Sequence, residues 1–414
     1  MQCHASRLDQ ALRTLGEIGA YDDPQTGLRG VNRLALTAAD GAGRRHVVSE
    51  MRRLGLQVTV DRIGNTTGRR EGREPGLAPV MMGSHIDSVP TAGRFDGCLG
   101  VLGGLEIIEV LNEAGVVTRR PLEVAFFTDE EGCRFGTDML GSAVATGRLE
   151  LEHAYGLRDL AGRTVRDELA AIGFLGEAEP QREPPHAYLE VHVEQGPVLA
   201  AEGYALGVVT GVQGISWREL TILGRSAHAG TTPMELRRDA GVAAARINLG
   251  LRDLVESGRF GQLRATMGCI QPHPGLVNIV PGRVIATIDL RNPDEALLVE
   301  AEREAAELVA AVAARERVEI RTRQTARTPP VDFDPHIQGR LAAAADASGL
   351  SWRRIVSGAG HDAQEWARRC PTGMVFVPGL HEGISHNPRE ESTPEACANG
   401  VNTALKVLLE LAEA

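Results

Sequence analysis

The sequence predicts an α/β fold interrupted by a smaller inserted α+β domain, and three observations carry that expectation. Up to about residue 210, buried-type strands alternate with helices of about ten residues or more, which implies βαβ units and a mainly parallel central sheet. Between about 210 and 330 the order becomes β-α-β-β-α-β, the split ferredoxin-like series. From about 330 the first style resumes. The α/β domain is therefore expected over 1–212 and 329–414, and the insertion over 213–328.

Each element has its own signal. Leu8, Leu12, Leu15 and Ile18 recur at helical spacing, so 5–19 reads as an amphipathic helix. Residues 46–56 repeat that pattern, and VTVDRIGN follows as a strand and turn. LAPVMMGSHID is a buried strand, GCLGVLGGLEIIEVLNEAG a helix, and PLEVAFFTDEEG and AYLEVHVEQG two more strands. In the insertion, WRELTILGRSAHAG is a strand ending in a turn that bears a histidine, and RRDAGVAAARINLGLRDLV is a helix. ATMGCIQPHPGLVNIVPGRVIATIDLRN supplies two strands around a Pro/Gly-rich turn. The Ala/Glu-rich run from Asp294 to Arg315 is an amphipathic helix with a solvated face, and RVEIRTRQ is a strand. A helix over 335–349, the strand WRRIVSG, the helix HDAQEWARR, the strand TGMVFVPG and a helix from about 394 close the chain.

Composition bounds the function. The 414 residues suggest about two or three domains. Lys plus Arg is 44 against 55 Asp plus Glu, a net charge of −11, which argues against a nucleic-acid partner. No run approaches the roughly 18 apolar residues of a membrane helix, and the opening MQCHASRLDQALRTLGEIG lacks a secretory pattern. Six cysteines, at 3, 98, 133, 269, 370 and 397, form no C-x-x-C pair. That fits a reducing, cytoplasmic setting better than a disulfide framework or a zinc finger.

Candidate ligands in the first half sit at or just past the carboxyl ends of strands, where open parallel sheets place their sites. In GSHIDSV, His85 and Asp87 share a face, so Asp87 can take one imidazole N–H while the other nitrogen binds metal. In GRFDGCLG, Asp96 is either an N-cap or a carboxylate bridging two cations, with Gly97 and Gly100 letting the backbone turn closely. In FTDEEGCRFG, adjacent glutamates point apart, which leaves Glu131 to bind metal and Glu130 free as a general base. In EVHVEQGP, Glu190 and Glu194 share the face of His192, and in GISHNPRE, His386 occupies a Gly/Asn/Pro loop. Each motif alone reads equally well as a packed or turn residue. Together they form a nitrogen and oxygen donor set without thiolate, suited to zinc, manganese or cobalt. A pair of such ions is a hydrolytic clamp, and its charge would exceed that of Asp96 and Glu131, which favours a small anionic substrate.

GSHIDSVPTAGRFDGCLG, DEEGCRFG, EVHVEQGP, SAHAGTTPM, VNIVPG, SGAGHDAQ and GISHNP, in that order, resemble the metal-dependent amidohydrolases of peptidase family M20. The resemblance is closest to the hydantoinase/carbamoylase branch, which holds N-carbamoyl-L-amino-acid hydrolases and allantoate amidohydrolases. Peptidases of the clan usually carry Asp where His192 stands. The resemblance implies a metallopeptidase-like catalytic domain, an inserted lid and dimerisation domain, and a homodimer. It implies two divalent ions, one held by His85 and His192, the other by Glu131 and His386, with Asp96 shared. Glu130 would be the general base, and Asp87 belongs to the catalytic set. His228, contributed across the dimer interface, would stabilise the oxyanion. Gln195, His228, Asn278, Arg291 and Gly360 would hold substrate.

Read without the resemblance, Arg291 ends VIATIDL and is either a carboxylate fork or a surface arginine paired to Asp289. Asn278 and His228 are equally turn residues, and His361 and Asp362 open a helix, where capping is the plain account. Cys98 and Cys133 lie beside site residues, but packing explains them better than nucleophilic chemistry. The expected reaction is hydrolysis of the ureido C–N bond of N-carbamoyl-L-amino acids. Allantoate or another ureido acid is the alternative, followed by a dipeptidase-like activity and by a non-catalytic dimeric binding protein, against which Glu130 and the complete ligand set count.

Overall fold

A computed structural model of the chain describes residues 1–181 and 183–414. Two compact units divide it, one formed by Met1–Val212 with Asp332–Ala414 and one by Gln213–Val331. The return crossing expected at 329 falls at 332, after the strand that ends at Thr328 and a Pro-Pro pair.

The first unit opens with α1 (Ala5–Gly16), whose Leu8, Leu12 and Leu15 are buried. α2 (Ala38–Arg53) starts eight residues earlier than the expected 46, where the side chain of Thr37 caps it by accepting from the Asp40 amide. The buried positions at its start are Asp40, Gly41, Gly43 and Arg44, so no apolar spacing marks them in the sequence. β1 (Gln57–Val60) and β2 (Thr66–Arg70) form a hairpin, followed by β3 (Val80–His85), α3 (Cys98–Glu113) and β4 (Leu122–Phe127). β5 (Ala187–Val193) and β6 (Leu206–Val212) complete the first part. Three short helices, Leu140–Thr146, Leu151–Gly156 and Val165–Ile172, stand where the sequence reading assigned nothing. Each is about two turns or less, too brief for a clear period.

The second unit contains β7 (Gly214–Leu223), α4 (Ala240–Glu256), β8 (Arg264–Thr266), β9 (Ile270–His273), β10 (Arg283–Asn292), α5 (Glu295–Glu316) and β11 (Glu319–Thr328). Its sheet runs β8-β10-β7-β11, wholly antiparallel, with β9 also on β10. That is the split order read from the sequence, with the expected second strand broken into β8 and β9. Leu220, Ile222, Val284, Ala286, Ile288 and Leu290 alternate along β7 and β10 and pack against Ala244, Ile247, Leu251, Leu298 and Ala301 of the two helices.

The first unit then closes with α6 (Pro335–Asp346), β12 (Trp352–Ser357), α7 (Asp362–Trp366), β13 (Thr372–Val377) and α8 (Pro394–Glu413). Its nine-stranded central sheet runs β12-β6-β13-β5-β3-β4-β2-β1, with the short strand Val331–Asp332 also on β6. The inner strands β13, β5, β3 and β4 are parallel to one another. Every residue of these four strands is buried, as expected of strands covered on both faces. The same arrangement brings their carboxyl ends to one edge.

Candidate metal and catalytic site

Three neighbouring parallel strands deliver the first donors. His85 is the last residue of β3, His192 lies one residue from the end of β5, and Glu130 and Glu131 follow β4. Asp96 precedes α3. It does not cap that helix: the N-cap is Gly97, at φ +65° with no side-chain cap bond. A side chain at Gly97 would meet the His85 ring at 2.5 Å, so the loop passes the imidazole only because position 97 is glycine. His386 enters from the loop between β13 and α8.

These groups converge on Asp96. Its Oδ1 lies 3.5 Å from His85 Nε2 and 3.2 Å from His192 Nε2. Its Oδ2 lies 3.3 Å from His386 Nε2, which is also 3.3 Å from Glu131 Oε2. Two donor groups result, His85 with Asp96 and His192, and Asp96 with Glu131 and His386, sharing the one aspartate. Glu130 Oε2 stands 3.4 Å from His85 Nε2. The adjacent glutamates therefore face different partners.

The donor chemistry fits divalent cations. His192 Nδ1 is 2.8 Å from the Val193 carbonyl and His85 Nδ1 is 3.0 Å from the Asp87 carbonyl. In each ring Nδ1–H donates to a main-chain oxygen, which leaves the Nε2 lone pair for an ion. The Gly97 amide donates to His192 Nε2 at 3.1 Å, as an unprotonated Nε2 requires. For His85 this differs from the expectation of a carboxylate partner: the Asp87 Oδ1 is 4.0 Å away and instead accepts from the Glu130 amide at 3.4 Å. A bend after the strand turns the carbonyl, not the side chain, toward the ring.

Electrostatics follow from burial and from this crowding. Burial would lower the pKa of His386, but the carboxylates of Asp96 and Glu131 push it up to about 11. Burial works against the Asp96 carboxylate, yet His192, His386 and His85 hold it well below the usual range. Glu130 is raised well above the carboxylate range by burial, with Asp362, Glu131 and Asp96 adding to the effect against His85. A glutamate at this place is of the residue type that serves as an acid–base group. Asp129, Gln195 and His386 all adopt left-handed backbone at φ +53°, +55° and +56°, the kind of conformation that clusters at working sites.

The other expected residues fall into two places. Gln195 lies in the cage, donating its amide to Asp96 Oδ2 at 2.8 Å, and Gly360 is half-buried before α7. His228, Asn278 and Arg291 belong to the second unit. Residues 227–228 pair with 279–280, and the Ala229 amide donates to the Asn278 carbonyl, so His228 and Asn278 stand side by side, both exposed. His228 Nδ1 accepts from the Gly230 and Thr231 amides at 3.0 and 3.3 Å, which puts the proton of the neutral ring on Nε2. The Arg291 fork is engaged by Asp289, with Nη2 to Oδ2 at 2.9 Å.

Several residues acquire roles that the sequence reading had not given them. His361 is the N-cap position of α7, but its side chain makes no cap bond; Nε2 lies 2.8 Å from Ser357 Oγ, and the ring meets His192 edge-on at 4.5 Å. Glu190 accepts from Ser84 Oγ, Tyr188 OH and the Ala363 amide, while Glu194 turns away to accept from the Val198 and Leu199 amides. Ser385 and Glu390 line the wall around Asp96. Only the spacing S-H-N-P-R-E hinted at the last pair. Cys98 is buried against Arg33, and burial raises its thiol pKa, in keeping with packing.

Residues 81–410 match the model of peptidase family M20/M25/M40. The chain belongs to that family. As an M20 protein it is 40% identical to an N-carbamoyl-L-amino-acid amidohydrolase of Rhizobium meliloti over 99% of this chain and 97% of the relative. It is 35% identical to a ureidoglycolate hydrolase of Arabidopsis thaliana over 96% and 85%. A crystal structure of a hydantoinase/carbamoylase family amidase from Burkholderia vietnamiensis superposes with a TM-score of 0.94 at 43% identity, covering 100% of this chain and 98% of that one.

Proposed function

We propose that this M20 enzyme hydrolyses the ureido C–N bond of N-carbamoyl-L-amino acids, giving the L-amino acid, carbon dioxide and ammonia. The observation that carries the reading is the Asp96 carboxylate facing three imidazole Nε2 atoms, with Glu130 beside it. His85 and His192 would hold one divalent ion, Glu131 and His386 a second, and Asp96 both. Zinc, manganese or cobalt in that pair would polarise the carbonyl and acidify a water. Glu130 takes the proton of the attacking water as it adds to the carbamoyl carbon, and returns it to the leaving nitrogen. Asp87 anchors the Glu130 main chain. His228 donates Nε2–H to the developing oxyanion, and Gln195, Asn278, Arg291 and Gly360 orient the substrate, with Arg291 taking its carboxylate. The exposure of His228 suits a homodimer in which this side chain is contributed across the interface. The six free cysteines suit a cytoplasmic setting. Among the described residues no helix is long and apolar enough to cross a membrane.

The likeness to ureidoglycolate hydrolase supports a second reading, hydrolysis of allantoate or another ureido acid by the same residues. Ammonia release from N-carbamoyl-L-methionine, allantoate and a dipeptide, assayed side by side after chelation and add-back of manganese, cobalt or zinc, tests both. The first reading expects the highest kcat/KM on N-carbamoyl-L-methionine, lost on chelation and restored by metal. A higher kcat/KM on allantoate moves the assignment to the second. Turnover of the dipeptide alone, or turnover that survives complete metal removal, overturns both.

A further inference from the structure

We propose that Glu390 is the positioning residue of this cage, clamping the loop that carries Asp96 to the loop that carries His386. The inference rests on the two-ion reading above. Glu390 is buried at 5% exposure, and each of its oxygens is used. Oε1 accepts the amide protons of Phe95 at 2.9 Å and Asp96 at 3.1 Å, across 294 residues of sequence from the latter. Oε2 lies 2.6 Å from Ser385 Oγ, and that hydroxyl is also 3.0 Å from Asp96 Oδ2. One side chain thus fixes the main chain of the shared aspartate and, by accepting the single Ser385 proton, holds that hydroxyl beside the aspartate's outer oxygen.

The surroundings leave the clamp little slack. The Glu390 amide donates to the Asn387 carbonyl at 2.9 Å, closing the turn behind His386. A β-carbon at Gly93 would sit 2.5 Å from the Glu390 Cβ, so a side chain there would push the carboxylate off its partners. Thr91 adds a weaker tie, its hydroxyl 3.1 Å from the His386 carbonyl.

A carboxylate shared by two ions must present its oxygens in two fixed directions, and an aspartate in a loop does not hold that orientation unaided. The two donor groups depend on Glu390 unequally. His85 and His192 are held by strands and by their own Nδ1 bonds to main-chain carbonyls. His386 stands on a loop, next to Ser385, with its backbone in the left-handed region. Losing Glu390 should therefore loosen the ion at Glu131 and His386 more than the ion at His85 and His192. Outer partners of this kind typically set metal affinity by about 10–100-fold. A glutamine would keep one oxygen for the two amides and an N–H for Ser385 Oγ, so the clamp is a matter of hydrogen bonding.

The test is binding of zinc or manganese to the metal-free full chain, by calorimetry and by metal analysis after gel filtration. Wild type should take two ions per chain. Glu390→Ala should keep one ion at wild-type affinity and bind the other about 10–100-fold less well, while Glu390→Gln binds both within about threefold of wild type. Ser385→Ala should weaken the same ion by a smaller factor, and it carries the test if Glu390→Ala does not fold. A folded Glu390→Ala protein with both affinities unchanged overturns the inference. So does a Glu390→Gln protein as impaired as the alanine variant or, where only the serine variant can be measured, unchanged binding by Ser385→Ala. A wild-type chain that binds fewer than two ions instead overturns the two-ion reading beneath it.

Discussion

The two units carry their candidate residues in opposite ways. In the first, His85, Asp96, Glu130 and His192 are buried beside strand ends or a glycine turn, and the loop residue His386 is exposed. In the second, His228 and Asn278 are exposed on a short ladder, and Arg291 is engaged by a carboxylate of its own strand. Groups that cage ions must be held before the ion arrives, because removing several charges from water is offset only when all the donors are already in place. Groups that meet a substrate need reach and accessibility. The comparison therefore separates a buried donor group in the first unit from exposed side chains in the second.

The largest expected effect lies in the cage. Glu130→Gln should lower kcat by about 10²–10⁴-fold, the usual worth of an acid–base group, with ion content unchanged. Near-normal turnover would remove Glu130 as the proton carrier. In the second unit, His228→Ala should cost about 10²–10³-fold in kcat, the scale of one oxyanion donor, with neither ion content nor melting temperature altered. If ions were lost as well, the separation of cage from surface would fail. Smaller in catalytic terms, Leu220→Ala removes a fully buried side chain from the core of the second unit and should destabilise that unit by about 2–5 kcal/mol. Ion binding by the first unit should persist under those conditions, which denaturation followed alongside metal content would reveal. The smallest effect is expected from Asp239→Ala. It deletes the side chain that accepts from the Gly241 and Val242 amides at the start of α4, and about 1 kcal/mol should be lost in chemical denaturation.

Much of this architecture was legible in the chain. Leu8, Leu12 and Leu15 recorded α1, the continuous apolar runs recorded β3 and β4, and the ladder order of the second unit followed from its strand and helix series. Periodicity reports which face is buried, so elements with a strong face were found, while the two-turn helices between residues 140 and 172 carried too few residues to show one. α2 began earlier than read because its first turn is held by the Thr37 cap rather than by apolar spacing.

At the site, no single motif was decisive, and His85, Asp96, Glu130, Glu131, His192 and His386 stood out only as a set of nitrogen and oxygen donors and by the family resemblance of their motifs. Their mutual orientation was not in the pattern. Whether a histidine meets a carbonyl or a carboxylate, as at His85, depends on a bend of a few ångströms in the backbone. The reach of Glu390 to Asp96 joins segments 294 residues apart, and only the packed fold brings them within a hydrogen bond. Local spacing determined which groups this protein has to work with; the tertiary structure alone decided which atoms of those groups face one another, since hydrogen bonds and ion cages are set by distances that sequence separation does not encode.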